Sequence, residues 1–228
     1  MRRSTDDEKI LGYNDVVLRK SDLGILSGPH YLNDRIIEFY FSYLATSHPI
    51  KDVLLVAPSV AFWIANCPDA DTLKDFVEPL ELPKKRLVIF PVNNNNDVTV
   101  AEGGSHWSLL VYERSSNAFI HHDSCYGINK RASCQLYGHI KGFMSTSDAE
   151  PHASYVELTD SPQQLNSYDC GLYVTAIARS ICLWIESNDL REPNRLWFSA
   201  VKEQVTPSAV ADMRGEILEL ITTLVHNN

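Results

Sequence analysis

The segment Pro162-Gln163-Gln164-Leu165-Asn166-Ser167-Tyr168-Asp169-Cys170-Gly171 carries the most suggestive chemistry in the chain. A polar stretch ends there, and the apolar pattern that follows predicts a helix from Cys170 to about Ile185. A cysteine at a helix N-terminus sits at the positive end of the macrodipole, which stabilises a thiolate. Asp169 is placed to cap that helix, and Gly171 would let a substrate backbone come close to the sulfur. The competing reading is a buried structural thiol, which is how we read Cys182 on the same helix. Gln164 precedes Cys170 by six residues, and its amide could donate to an oxyanion developing beside the sulfur. Taken alone, it reads as a solvated loop residue.

A thiolate nucleophile needs a base, and the base needs an acceptor that orients it. Two extended runs, His106 to Tyr112 and Ala118 to His122, flank the polar Ser115-Ser116-Asn117 and predict a β-hairpin. His106 opens the first run and Asp123 closes the second. Their midpoint falls between Arg114 and Ser115, and residues equidistant from a hairpin turn face each other. His106 and Asp123 are therefore expected as neighbours at the open end of the hairpin, within a residue or two of register. His121 and His122 lie closer to Asp123 in sequence, but alternation sends them to opposite faces. A metal site from His121, His122 and Asp123 would need further ligands, and no cluster supplies them.

Helices and strands elsewhere must hold these residues. The first thirty residues read as extended and irregular, with Gly28-Pro29 as a turn signal. Asn33 or Asp34 can cap a helix carrying Ile36, Ile37, Tyr40, Phe41 and Leu44. Ser59 is expected to cap a second helix through Trp63 and Ile64, and Thr72 to Val77 a third, stopped before Pro79. Arg86 to Phe90 predicts a buried strand ending near Pro91, and Tyr155 to Leu158 a short one. Residues 132–144 read as a helix weakened by Gly138 and Gly142, and a closing helix lines up Met213, Ile217, Leu220, Ile221 and Leu224. Asn93 to Gly104 reads as an exposed loop. Helices first, strands in the middle and helices last point to an α+β domain.

Composition sets the outer bounds. At 228 residues, with about 150 per domain as a prior, one or two domains are expected. The net charge of −9 disfavours a phosphate-backbone binder. No apolar run reaches the ~18 residues of a membrane span, and the charged start is no signal peptide. The five cysteines show no zinc-knuckle spacing, which suggests free thiols in a reducing compartment, cytoplasm or nucleus.

Gly104-Ser105-His106-Trp107-Ser108, His122-Asp123-Ser124 and Gln164 through Asp169-Cys170-Gly171 resemble the ubiquitin-like-protein-specific cysteine proteases, the sentrin/SUMO-specific protease family. The resemblance covers most of the chain. It implies one catalytic domain over 1–228, with residues 1–12 flexible, and a permuted papain-like fold with a central mixed β-sheet flanked by helices. It implies a catalytic set of His106, Asp123 and Cys170, with Gln164 and the Cys170 N–H holding the oxyanion. Trp107 would roof a narrow tunnel over a diglycine tail. Tyr31-Leu32-Asn33-Asp34 is similar to the family's substrate-contact motif, whose first position is usually Trp. Tyr31 and Asp34 are thus expected to bind substrate, and the 93–104 loop to touch its globular surface. Phe76-Val77-Glu78-Pro79-Leu80-Glu81-Leu82-Pro83, the Asn-rich loop and Gly103 to Tyr112 most resemble the deneddylase branch, which acts on the neddylation modifier (RUB in plants). The implied partners are that modifier and its conjugates, with no nucleic acid, membrane, cofactor or metal, and the implied state is a monomer. The alternatives are a SUMO-directed protease of the same family and a silent module that only binds a ubiquitin-like protein.

Overall fold

Five strands from the middle of the chain form one mixed sheet, ordered β3-β4-β5-β6-β7. The computed structural model describes residues 8–100, 103–145, 153–187 and 197–227. The antiparallel centre consists of β4 (Leu87–Asn93), β5 (Trp107–Glu113) and β6 (Ala118–His122). Two short strands add in parallel, β3 (Val53–Leu55) along β4 and β7 (Ser154–Glu157) along β6. β5 and β6 are buried along their whole length, so they read as near-continuous apolar runs instead of alternating ones. Helices α3 (Pro58–Asn66) and α5 (Lys130–Ile140) pack on each other and on β4, with α4 (Ala70–Val77) beside α3. Val88, Phe90, Leu110, Tyr112 and Phe119 from the sheet meet Ile64, Leu136 and Ile140 from the helices in one apolar core.

The chain divides into two compact units: one is Ile50–Ser161, and the other joins the residues up to Pro49 with those from Pro162 onward. This second unit holds the hairpin β1 (Lys9–Tyr13) and β2 (Val16–Arg19), then α1 (Lys20–Leu26) and α2 (Asp34–Ser47). Its later part holds α6 (Cys170–Ser187), α7 (Phe198–Gln204) and α8 (Pro207–His226). α2, α7 and α8 pack around α6, which explains why α6 is apolar on nearly every side. Among the described residues no helix is long and apolar enough to cross a membrane.

Several expectations shift at their edges. The expected flexible stretch of residues 1–12 is a strand from Lys9 onward, with residues 1–7 outside the described residues. Lys9 to Leu26 form a hairpin and a helix, and the strands are short and bulged between Lys9 and Leu11, which erases a readable alternation. Asn33 does cap α2, its side chain accepting the Ile36 N–H at 3.1 Å. Ser59 is not a cap: Pro58 occupies the first helical position and Ala57 the cap position. α4 starts at Ala70, not Thr72, because the Asp69 carboxylate accepts the Thr72 N–H at 2.8 Å, a cap that contributes about 1 kcal/mol. β4 does not stop at Pro91. β3 pairs only as far as Ile89, so beyond it β4 is an edge, where proline is tolerated. α8 buries Met213, Ile217 and Ile221 as expected, while Leu220 and Leu224 are half-buried at the margin of the stripe.

Candidate active site

His106 and Asp123 flank the β5–β6 hairpin, one just before it and one just after. Their side chains meet, with His106 Nε2 2.7 Å from Asp123 Oδ1, and both residues are buried. The register differs from the simple midpoint: Leu109 pairs with His122 and Glu113 with Ala118, which centres the turn between Ser115 and Ser116. His106 therefore reaches Asp123 on a diagonal. The shift moves the pairing by two residues, so face parity survives and the contact with it. Trp107 opens β5 opposite Asn93 and is also buried.

Asp123 is held from three sides. Besides His106, its Oδ1 accepts the Cys125 N–H at 2.9 Å and its Oδ2 the Asn129 N–H at 2.9 Å. Burial works to raise its pKa, but the hydrogen bonds from His106, Asn129 and Cys125 outweigh it, and the carboxyl titrates below its ordinary range. Asp123 is thus an anion at neutral pH. Because Nε2 points at the carboxylate, any proton exchange with a thiol would fall to Nδ1.

The main chain of His106 is fixed by two asparagines that sequence reasoning did not select for this role. Asn94 Oδ1 accepts the N–H groups of Ser105 at 2.7 Å and His106 at 3.1 Å. Asn129 Nδ2 donates to the carbonyls of His106 at 3.1 Å and Val92 at 3.0 Å. The Asn-rich run is therefore only partly an exposed loop. Residues 96–100 are exposed, while Asn93 to Asn95 are half-buried and hook back onto the strand that leads to His106. Gly104 is required there: it has φ +82°, and a Cβ would fall 2.0 Å from Asn93 Oδ1.

His121 and His122 turn to opposite faces. His121 engages Glu157 and Ser108, and His122 engages Ser161. No group of three His, Cys, Asp or Glu side chains that could hold a metal occurs among the described residues.

The nucleophile candidate lies in the other unit. Cys170 is the first residue of α6 and fully buried, and all five cysteines are free thiols. The Asp169 carbonyl accepts the Tyr173 N–H at 3.0 Å, so Asp169 does sit at the cap position. Its side chain, however, bonds Asn166 Nδ2 at 2.6 Å and Arg214 Nη2 at 2.7 Å. Arg214, on α8, also donates to the carbonyls of Ile25 and His30 and stacks 5.7 Å over the Tyr168 ring. The loop before Cys170 is stiffened further by Asn166, whose Oδ1 accepts the Tyr168 and Asp169 N–H groups, and Gln164 Nε2 donates to the Asn166 carbonyl at 2.6 Å. Cys182, twelve residues along the helix, is a buried thiol pushed up to about 12, chiefly by burial.

Gly171 has a different reason from the one its sequence position suggests. A Cβ there would lie 2.8 Å from Leu32 Cβ, so the missing side chain lets the start of α6 pack against the Tyr31-Leu32-Asn33-Asp34 segment. In that segment Leu32 is buried, while Tyr31 is exposed and Asp34, the first residue of α2, is half-exposed. Asn33 Nδ2 donates to Asp22 Oδ1 at 2.7 Å, and Asp22 is a fully buried carboxylate paired with Arg35 at 3.0 Å.

A mixed sheet with an oriented histidine beside it, and a cysteine opening a buried helix, are the parts that a cysteine protease of permuted papain-like fold would use. Residues 30–195 match the Ulp1 protease family, C-terminal catalytic domain. The sequence is 53% identical over 225 residues to NEDD8-specific protease 1 of Arabidopsis thaliana, covering 99% of this chain and 97% of that protein. It is 36% identical over 221 residues to human sentrin-specific protease 8, covering 96% and 98%. In fold it is similar to the C-terminal Ulp1 protease domain solved in complex with Smt3, the yeast ortholog of SUMO, with a TM-score of 0.65 and 19% identity over 97% of this chain and 90% of that one. The chain belongs to the Ulp1 protease family and is a cysteine-type peptidase.

Proposed function

We propose that this peptidase cuts after the C-terminal Gly-Gly of the neddylation modifier, releasing a peptide extension or a lysine of a conjugated protein. The observation that carries the choice of modifier is the 53% identity, over nearly the full length of both chains, with a NEDD8-specific protease. Cys170 is the nucleophile. His106 takes the thiol proton through Nδ1, while Asp123 holds Nε2–H and stabilises the imidazolium. The thiolate adds to the glycine carbonyl carbon, and Gln164 with the Cys170 N–H receives the oxyanion. The intermediate collapses by breaking the C–N bond, and His106 returns its proton to the departing amine. Water deprotonated by His106 then hydrolyses the thioester.

Cys170 is fully buried, which favours a tail without side chains and so supports a requirement for diglycine. On this reading Trp107 covers the diglycine, Asp34 and Tyr31 contact the tail before it, and the loop tip at 96–100 meets the modifier's globular surface. We take residues 1–228 as one catalytic domain, since the likeness to relatives of the same family runs over nearly the full length of the chain. Five free thiols fit a reducing compartment, cytoplasm or nucleus.

The test reacts the protein with a panel of modifiers bearing a C-terminal electrophile, with Cys170→Ser as control. The proposal expects a Cys170 adduct with the neddylation modifier in preference to SUMO and ubiquitin. Preference for SUMO would overturn the choice of modifier. Binding without an adduct would leave only a capture module.

A further inference from the structure

Asn129 occupies the N-cap position of α5, where an asparagine ordinarily turns its side chain onto the first free N–H groups of the helix. Here it makes no such bond. Its side-chain amide instead spans two other elements, donating one N–H to the Val92 carbonyl near the end of β4 and the other to the His106 carbonyl. Its own backbone N–H goes to Asp123 Oδ2, and its carbonyl accepts the Ser133 N–H at 2.8 Å, which anchors it to the helix. One residue therefore grips the backbone of the histidine, the carboxylate that orients that histidine, and the strand beside them.

The arrangement has a cost that local structure does not require. Asn129 is fully buried, and its Oδ1 has no hydrogen-bond partner among the described residues. A buried amide oxygen left unpaired costs about 1–3 kcal/mol. The distinctive property of asparagine here is its pair of N–H donors, set at an angle that joins two carbonyls.

From this geometry we propose that Asn129 is a positioning residue of the catalytic machinery, fixing His106 and Asp123 as a unit. This deepens the proposed function and rests on the reading of that pair as the base and its orienter. Asn129 touches no reacting atom; it acts by holding the imidazole within the tolerance proton transfer demands. A misplacement of about 1 Å remote from the chemistry costs on the order of 10²-fold.

The test is a double-mutant cycle on hydrolysis of a modifier with a fluorogenic C-terminal amide. It uses Asn129→Ser, Asp123→Asn and the two combined, with kcat and KM resolved. Serine removes both side-chain donors at a position whose side chain makes no cap bond to lose, and an unfolding midpoint near that of the unaltered protein checks that the fold is retained. Asn129→Asp, equal in shape, is the second variant, since its carboxylate faces two carbonyls. Either single change at 129 should lower kcat by about 10²-fold with KM unchanged. Added to Asp123→Asn, it should cost nothing further, because the two act through one unit. Full activity in both position-129 variants, or losses that simply multiply in the double variant, would overturn the role. A fully active Asp123→Asn would instead remove the catalytic reading of the pair on which the role depends.

Discussion

Two histidine–carboxylate pairs of almost equal length lie at and beside the β5–β6 hairpin, the second reaching across to β7. His106 Nε2 lies 2.7 Å from Asp123, and His121 Nδ1 lies 2.8 Å from Glu157. The second pair even continues to a hydroxyl, with Ser108 Oγ 2.9 Å from His121 Nε2, so that Ser108, His121 and Glu157 repeat the order of a serine triad. Distance does not separate the two; environment does. His121 lies inside the sheet, fully buried and with both ring nitrogens engaged, and the Tyr155 hydroxyl donates to the same Glu157 at 2.8 Å. Burial, the largest influence on it, lowers its pKa despite the neighbouring Glu157, so the ring is neutral and saturated. His106 stands at the mouth of the hairpin, where a loop brings backbone N–H groups to its carboxylate. Its partner Asp123 is ionised and held by the chain itself. A pair that closes a network stabilises the sheet, whereas a pair at its rim can work.

The largest expected effect comes from Asp123→Asn. It should lower kcat/KM by about 10⁴-fold, the scale seen when a triad carboxylate loses its charge and the imidazole its tautomer. Gln164→Ala should lower kcat by about 10²–10³-fold, as the loss of one oxyanion donor does, with substrate binding retained. Glu157→Gln should move a different quantity: thermal or denaturant unfolding should show a loss of about 1–3 kcal/mol, with kcat/KM near that of the unaltered protein. A drop in kcat/KM comparable to that of Asp123→Asn would erase the distinction between the pairs.

Acid sharpens the same contrast. Full burial depresses His122 to about 3, and His121 is depressed too, so the unfolded state binds more protons than the folded one between the ordinary imidazole value and the lowered one. Stability is therefore complete above roughly pH 6.5 and falls as pH drops through this window. His122 alone should contribute about 2 kcal/mol of loss between pH 7 and pH 5, read from urea midpoints. His122→Gln should flatten that slope.

How far the chain could be read in advance depended on whether a residue's neighbours were local. The hairpin, the α2 cap at Asn33 and the start of α6 at Cys170 follow from periodicity and capping, so they were legible, as was the meeting of His106 with Asp123 despite a turn centred one residue later. Gly171, Arg214 and Asn129 were not. Their reasons lie with Leu32, with Ile25 and His30, and with Val92 and His106, contacts that no window along the sequence brings together. Asn129 was concealed further because an asparagine before a helix already has an ordinary explanation.

The central claim is that His106, and not the similarly paired His121, activates Cys170. It is tested most directly by the rate at which a neddylation modifier with a C-terminal electrophile labels Cys170, mapped by mass spectrometry. His106→Ala and Glu157→Gln are to be compared with the unaltered protein. The account predicts labelling slowed by about 10²-fold or more in His106→Ala, the general-base contribution, and unchanged in Glu157→Gln. Equal rates in all three would contradict it.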